Sequence, residues 1–379
     1  MVDQVELIQD RARFETLVAE LAREPVVGID TEAASFHRYR DRVYLLQLSS
    51  ATRTFVVDPL AVGGLPGFDR LLERRETQLV FHDGDYDLRL LYHEYGYRVR
   101  GLFDTRIAAQ FLNEPAIGLG SLLQKYFGVA TDKRFQRADW STRPLTPPMI
   151  DYAATDTRHL AALRDRLQSG LEAAGRLEWV EEECQLLTSV EWAPPEPAES
   201  AALRMKGART LDPRGLAVLQ QIFAWREAVA AELDRALFRV VGNETLLALS
   251  ANPPRSREAL GKVKGLGREL AATRGDELLA AIERGRAVTD DALPRFPKSR
   301  RPKPDPEFEQ RLERLKALRN RLVTGFGLAP GVLCPNATLE VIARNEPTSL
   351  EALGSLPGVR RWQVAAFGTE VLRALAQGR

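Results

Sequence analysis

The chain has 379 residues, of which 44% are hydrophobic and 28% charged, and its formal net charge at pH 7 is +1. These values are typical of folded, soluble proteins and exclude a fibrous chain, wholesale disorder and a uniformly basic surface. A chain of this length exceeds a single hydrophobic core, so we expect two or three domains.

Short apolar runs rich in β-branched residues dominate the first part of the chain. They cover residues 25–30, 43–48, 54–58 and 78–81, and polar or turn residues separate them. Leu88, Leu91 and Tyr92 then follow at helical spacing, and the pattern from 105 to about 191 is helical. Strands that alternate with helices predict an α/β domain over residues 1–192.

Acidic residues occur where these predicted elements end or begin. Asp30 and Glu32 follow the first strand, and the period of two directs both carboxylates to one side of the sheet. Two neighbouring carboxylates repel each other, and this repulsion is tolerable when a divalent cation lies between them. For one Asp-x-Glu motif alone, an ordinary solvated strand end is the more common explanation.

Two further motifs strengthen the case for a metal site. Asp83, Asp85 and Asp87 lie where the fourth strand passes into a helix. Tyr152 and Asp156 are four residues apart on a predicted helix, so their side chains share one face. Taken in isolation, this second pair would be a core tyrosine and a solvated aspartate.

The remaining chain contains two proline-rich connectors and an internal repeat. The first connector is predicted at 193–208 and the second, which is basic, at 293–306. Asn243-Glu-Thr-Leu246 aligns with Asn336-Ala-Thr-Leu339 at an offset of 93 residues, which is too long for a solenoid. We therefore predict two tandem helical domains, at 209–292 and 307–379.

The cysteines and the N-terminus bear on the cellular compartment. Cys184 and Cys334 are the only cysteines, and neither has the spacing of a zinc site. The N-terminus lacks a basic segment followed by an apolar one, and no run of about 18 apolar residues occurs. We expect a cytoplasmic protein with reduced thiols and no membrane segment, and nothing indicates a protein partner.

The acidic motifs, taken in this order, resemble the DEDD superfamily of 3′-5′ exonucleases, tyrosine subgroup. The closer resemblance is to ribonuclease D and covers about residues 24–165. It rests on Ile29-Asp-Thr-Glu32, Leu45-Leu-Gln-Leu48, His82-x-Gly-x-x-Asp87-Leu, Phe103-Asp-Thr-Arg106, Ala138-Asp-Trp-Ser141-x-Arg-Pro-Leu and Asp151-Tyr-Ala-Ala-Thr-Asp156. The two repeats resemble the helicase-and-RNase-D C-terminal (HRDC) domain.

The resemblance implies both a fold and an activity. The fold is a ribonuclease-H-like α/β exonuclease domain, with a mixed sheet flanked by helices, followed by two all-α helical domains. The activity is the release of nucleoside 5′-monophosphates from RNA 3′ ends, such as those of tRNA precursors, with two Mg²⁺ or Mn²⁺ ions. Asp30, Glu32, Asp87 and Asp156 would bind the ions, with Asp83 and Asp85 as alternatives to Asp87.

The resemblance also assigns a tyrosine and shows one departure. Tyr152 would position or deprotonate the attacking water, whereas His82 precedes the acidic turn and is expected to be structural. The phenylalanine that often follows Asp-x-Glu in ribonuclease D is Ala33 here, which leaves open how the terminal base is contacted.

Several basic residues are candidates for nucleic-acid contact. His37 and Arg40 lie in a polar loop between two strands, although an ordinary solvated hairpin would have the same composition. Lys262, Lys264 and Arg268 surround a glycine turn before a helix, where backbone amides can receive a phosphate. The equivalent turn of the second repeat, at 356–361, is either a phosphate site or a packing turn. Trp140 is either a base-stacking or a core residue.

Two other functions are compatible with the sequence. One is hydrolysis of single-stranded DNA, because metal-assisted hydrolysis does not require a 2′-hydroxyl. The other is nucleic-acid binding by a protein whose nuclease site is inert, and the complete set of acids with Tyr152 argues against it.

Overall fold

The computed structural model describes residues 5–194, 196–296 and 305–377. The first part of the chain contains a six-stranded sheet. Its strands are β1 (Val5–Ile8), β2 (Val26–Glu32), β3 (Leu45–Ser49), β4 (Thr54–Val57), β5 (Gln78–Phe81) and β6 (Leu102–Asp104). The spatial order is β1-β4-β3-β2-β5-β6. The strands β1 and β6 at the two edges were not predicted.

The sheet is mixed, as expected. β2 pairs with β3 in the antiparallel sense and with β5 in the parallel sense, which makes β2 a central strand. β4 is antiparallel to β3 and parallel to β1, and β6 is parallel to β5. The C-terminal ends of β2 and β5 therefore point in the same direction, toward one edge of the sheet.

Nine helices accompany the sheet in the described part of the exonuclease domain. They are α1 (Arg11–Leu21), α2 (Pro59–Val62), α3 (Asp69–Leu72), α4 (Asp85–Tyr95), α5 (Thr105–Phe111), α6 (Leu119–Phe127), α7 (Pro147–Arg158), α8 (Leu160–Ala173) and α9 (Leu177–Leu187). α7 packs against β2, β3 and β4, whereas α8 packs against β2 and β5. The fold class predicted from the sequence is confirmed.

Two helical units follow. The first consists of α10 (Ala198–Arg204), a 3-10 turn at Ala208–Thr210, α11 (Pro213–Leu233), α12 (Leu237–Val240), α13 (Asn243–Ala251), α14 (Arg257–Gly261) and α15 (Arg268–Arg286). The second consists of α16 (Pro306–Phe326), α17 (Pro330–Leu333), α18 (Asn336–Asn345), α19 (Leu350–Gly354) and α20 (Arg361–Ala376). Over the ranges described, no helix has the length and apolar character needed to cross a bilayer.

The first connector differs from its prediction. Residues 193–208 were expected to be a stiff linker, but α10 lies inside this range and buries Ala202 in the core of the first helical unit. The prolines are confined to the start of the segment, and the alanine-rich stretch after them has high helix propensity. Most of the second predicted connector, 297–304 within 293–306, lies outside the described residues.

The two helical units contact the exonuclease domain in different ways. The second unit shares a continuous core with it: Trp362 stacks on Trp179 of α9 at 4.6 Å between ring centroids. The first unit has its own core and contacts the loop between β2 and β3, where the Tyr39 hydroxyl donates to Glu227 at 2.9 Å. This second contact places the first unit beside the end of β2.

Candidate active site

Asp30 and Glu32 lie at the C-terminal end of the central strand β2. Their alternation places both carboxylates on the same face. Close packing holds this strand in position, because a Cβ atom on Gly28 would lie 2.6 Å from the Ser49 hydroxyl and 3.1 Å from the carbonyl of Thr157. Gly28 therefore allows the end of α7 to approach β2.

Asp156 reaches the same place from α7. The Ser49 hydroxyl of β3 donates to the Thr157 carbonyl at 2.6 Å, which fixes the helix next to Asp156. Carboxylate oxygens of Asp30, Glu32 and Asp156 lie within 4.8 Å of one another. Over the ranges described, no Lys, Arg or His forms an ion pair with any of the three. Carboxylate oxygens that lie this close together, with no basic side chain paired to them, are suitable ligands for Mg²⁺ or Mn²⁺.

Asp87, in the first turn of α4, is the third acidic position of the motif. It is buried, and its Oδ1 accepts hydrogen bonds from the Thr31 amide at 3.0 Å and the Thr31 hydroxyl at 2.5 Å. Thr31 lies between Asp30 and Glu32, so Asp87 is tied directly to the motif on β2. The two alternatives lie elsewhere: Asp83 is exposed and pairs with Arg106, and Asp85 pairs with Arg89 on the surface of α4.

Burial and neighbouring negative charges raise the pKa of all four carboxyl groups. Burial is the largest cause for Asp30 and Glu32, followed by the nearby negative charges, and both pKa values lie well above the usual range. Burial raises the pKa of Asp87 to about 6, and burial together with the charge of Asp87 raises that of Asp156 to about 7. Mutual destabilisation of this kind is relieved by a bound cation.

Tyr152 lies one turn before Asp156 on α7, and both line a cavity of about 280 Å³. Its ring contacts Phe135 at 5.6 Å and stacks on Trp140 at 5.9 Å. Burial raises the pKa of the phenol, and the charges of Asp156, Glu32 and Asp30 raise it further. The hydroxyl therefore remains protonated and is a hydrogen-bond donor. Trp140 is buried in the core beneath it.

Two residues that position this region were not singled out from the sequence. Asp58 is buried at the end of β4, and Arg143 binds both of its carboxylate oxygens at 2.6 and 2.8 Å. Burial opposes ionisation of Asp58, but pairing with Arg143 lowers its pKa overall. This bidentate pair holds the segment that carries Trp140 against the sheet. The Asp-Trp-Ser-x-Arg motif at 139–143 was the available signal, although the partner of its arginine could not be identified from the sequence.

The sequence-predicted candidates His37 and Arg40, in the loop between β2 and β3, and His82, after β5, have different surroundings. His37 Nε2 lies 2.9 Å from the Arg137 carbonyl, and its Nδ1 lies 3.7 Å from Asp139. Arg40 is exposed, and its amide binds Asp234 of α11's C-terminal cap at 3.3 Å. His82 bonds Thr105 at 2.9 Å, and burial lowers its pKa to about 4, so it is neutral and structural.

The two glycine turns of the helical units differ in their surroundings. Lys262, Lys264 and Arg268 are exposed at the first turn, and Lys262 pairs with Glu258 at 2.7 Å. The second turn packs onto α9. There, the Glu182 carboxylate accepts from the amides of Arg361 and Trp362 at 2.8 and 3.0 Å. These contacts favour the packing alternative for this turn.

A mixed sheet that carries a cluster of carboxylates and is followed by two helical units is consistent with a metal-dependent nuclease. The family model for a 3′-5′ exonuclease matches residues 5–172, and the HRDC domain matches residues 215–282 and 308–375. A ribonuclease D from Gluconacetobacter diazotrophicus is 34% identical over 96% of this chain and 90% of its own length.

Solved structures agree with these family matches. Ribonuclease D of Escherichia coli is 25% identical with a TM-score of 0.70, over 100% of this chain and 99% of its own. The catalytic core of RRP6 from Trypanosoma brucei is 27% identical with a TM-score of 0.69, over 75% of this chain and 80% of its own. The chain belongs to the ribonuclease D family. It is a hydrolytic 3′-5′ exoribonuclease, and its acidic cluster is consistent with the divalent metals that this superfamily uses.

Proposed function

We propose that this exoribonuclease trims the 3′ ends of structured RNA, such as tRNA precursors, with the aid of two Mg²⁺ or Mn²⁺ ions. The observation that carries the proposal is the convergence of Asp30, Glu32 and Asp156 within 4.8 Å, without a cationic partner among the described residues. The similar E. coli ribonuclease D is involved in structured RNA processing, which supports the substrate class.

The four carboxylates would divide the ions between them. Asp30, Glu32 and Asp156 would hold one, and Asp30 with Asp87 would hold the other. When bound, such ions lower the pKa of water and stabilise the charge on the leaving 3′ oxygen. Thr31 limits the movement of Asp87, because it occupies Oδ1 with two hydrogen bonds and leaves Oδ2 for ligation.

Tyr152 would orient the attacking water. Its raised pKa keeps the phenol protonated, so its hydroxyl would donate a hydrogen bond to the water oxygen and not accept a proton. Attack on the terminal phosphodiester then releases a nucleoside 5′-monophosphate and leaves a new 3′-hydroxyl. His37, Arg40, Lys262, Lys264 and Arg268 remain predicted contacts to the RNA backbone.

The test uses a hairpin RNA with a 3′ overhang, the matched DNA and a tRNA precursor with a 3′ extension. Each is incubated with Mg²⁺, with Mn²⁺ or with chelator, and the products are resolved by size and end chemistry. Stepwise shortening of RNA to 5′-monophosphates that requires metal and is lost in Asp30→Asn supports the proposal. Preferential shortening of DNA, or binding without shortening, contradicts it.

A matched control separates the acidic cluster from its neighbours. Asp83→Asn removes an exposed aspartate four residues before Asp87, and asparagine tolerates its left-handed backbone (φ 62°). We expect this variant to be active and Asp87→Asn to be inactive. Tyr152→Phe should retain metal binding but lose most of its activity, by roughly 10²–10⁴-fold if its hydroxyl orients the water.

A further inference from the structure

Three exposed aromatic side chains lie in one region of the surface. Among the described residues, the exposed large apolar side chains are four leucines and three aromatics. The aromatics are Tyr86, Phe36 and Phe238, with exposed fractions of 41%, 44% and 56%. A single exposed apolar side chain is ordinary, but adjoining exposed aromatics are a feature of interaction surfaces.

The three rings extend from the acidic cluster to the first helical unit. Tyr86 precedes Asp87 in α4, and its hydroxyl interacts with the carboxylate of Asp41 and with Ser35, the neighbour of Phe36. The Phe36 ring contacts Phe238 of α12 edge-on, with 6.4 Å between centroids and an interplanar angle of 74°. We call this series the aromatic path. The residue after the Asp-x-Glu motif is Ala33, which supplies no ring.

Backbone contacts fix the path across the boundary between exonuclease domain and helical unit. The Ala236 amide donates to the His37 carbonyl at 3.1 Å, and Arg239 Nε donates to the Phe36 carbonyl. Phe36 and Phe238 are therefore held together by the same contacts that dock the first helical unit. Both rings nevertheless leave about half of their surface to solvent, which simple domain packing does not require.

Positive charge accompanies the rings. The Arg137 guanidinium lies 5.3 Å from the Phe36 centroid, and that of Arg239 lies 5.8 Å from the Phe238 centroid. Both arginines are exposed, and neither has a carboxylate partner in the part of the chain that the structure describes. Aromatic faces beside guanidinium groups that have no carboxylate partner are a usual means of binding single-stranded nucleic acid.

We propose that the aromatic path binds the single-stranded 3′ segment of the RNA substrate, with bases stacked on Tyr86, Phe36 and Phe238 and phosphates facing Arg137 and Arg239. The proposal rests on the proposed function and extends it to the first helical unit, which thereby contributes a ring to substrate binding. Stacking would tolerate any base, because every base has a π-face. The path would therefore favour an unpaired 3′ segment over a paired one.

The test compares Phe238→Ala, Phe238→Leu and Phe238→Trp, with Leu350→Ala of the second helical unit as the matched loss of an exposed apolar side chain. Affinity for a hairpin with an eight-nucleotide 3′ overhang is measured by fluorescence anisotropy in the presence of chelator. Phe238→Ala should weaken binding by roughly 5- to 100-fold, the range of one lost base–aromatic contact. Phe238→Trp should bind like the wild type, and Phe238→Leu like the alanine variant.

Further measurements separate this proposal from the proposed function. Wild-type trimming with metal tests the proposed function alone. The kinetic penalty of Phe238→Ala should be larger for the long overhang than for a dinucleotide. Equal affinity of all Phe238 variants, or an equal penalty at both lengths, overturns the aromatic path. So does a loss that leucine restores, because apolar packing between the domains would then explain it.

Discussion

Replacing Asp156 with asparagine should stabilise the metal-free protein while abolishing its activity. The pKa of Asp156 rises from 3.8 to about 7 in the folded protein, chiefly through burial and then through the charge of Asp87. This difference corresponds to roughly 4 kcal/mol against folding once the group is ionised. Asparagine keeps the shape of the side chain and removes its charge.

Only part of that free energy is expected to be recovered. The repulsion is shared with Asp30, Glu32 and Asp87, and a buried amide retains a desolvation cost, so we expect a gain of about 1–2 kcal/mol at about pH 8. For a domain of this size the melting temperature should rise by roughly 2–8 °C. Addition of Mn²⁺ should then raise the melting temperature of the wild type more than that of the variant.

The dependence on pH follows from the direction of the shift. The pKa of Asp156 is higher in the folded protein than in the unfolded chain. Below the unfolded pKa the side chain is protonated in both states and does not oppose folding. Stability is then lost as the pH rises through about 7 and the buried group ionises. The advantage of the asparagine variant should therefore shrink between about pH 8 and about pH 5.

Scanning calorimetry with chelator at both pH values measures the effect, with Asp165→Asn as an exposed control. A variant less stable than the wild type at the higher pH, or an advantage independent of pH, would refute the role of charge repulsion.

Three other substitutions test particular contacts. Thr31→Val keeps the shape of a buried side chain but removes the hydroxyl that holds Asp87; single-turnover kinetics should show activity about 10- to 100-fold lower, with little change in melting temperature. Gly285→Ala would place a Cβ atom 2.4 Å from the Cα of Val218; denaturant unfolding should show a loss of about 1–3 kcal/mol in the first helical unit. Trp362→Ala removes a buried ring stacked on α9 and should cost about 3–5 kcal/mol of the second unit's stability, detected as faster proteolytic release of that unit.

The central strands were predictable from the sequence because both of their faces are buried. β3 and β4 consist entirely of buried residues, most of which are apolar. β1 and β6 are edge strands of four and three residues, and Leu102–Asp104 is too short to show a period. The helix α10 was missed because the prolines before it suggested a linker for the whole segment.

Local spacing predicted the two pairs of residues within the acidic cluster, and the family resemblance implied that these pairs and Asp87 belong to one site. A period of two joins Asp30 to Glu32, and a separation of four joins Tyr152 to Asp156. The contacts between distant segments carry no such signal. Thr31 binds Asp87 across 56 residues, and Arg239 binds the Phe36 carbonyl across 203. Only the three-dimensional structure brings the first helical unit to the acidic cluster.

The repeated helical units show how two similar turns acquire different surroundings. Arg361 and Trp362 begin α20, and their amides hold a carboxylate of the same chain, Glu182. The residues at the same positions of the first unit, 93 earlier, begin α15, and no side chain of the described residues caps that helix. A helix N-terminus favours any anion, whether carboxylate or phosphate. The turn of the second unit thus contacts α9. The first unit contacts the loop between β2 and β3 through α11 and α12 instead, and its own turn, with Arg268, is exposed to solvent.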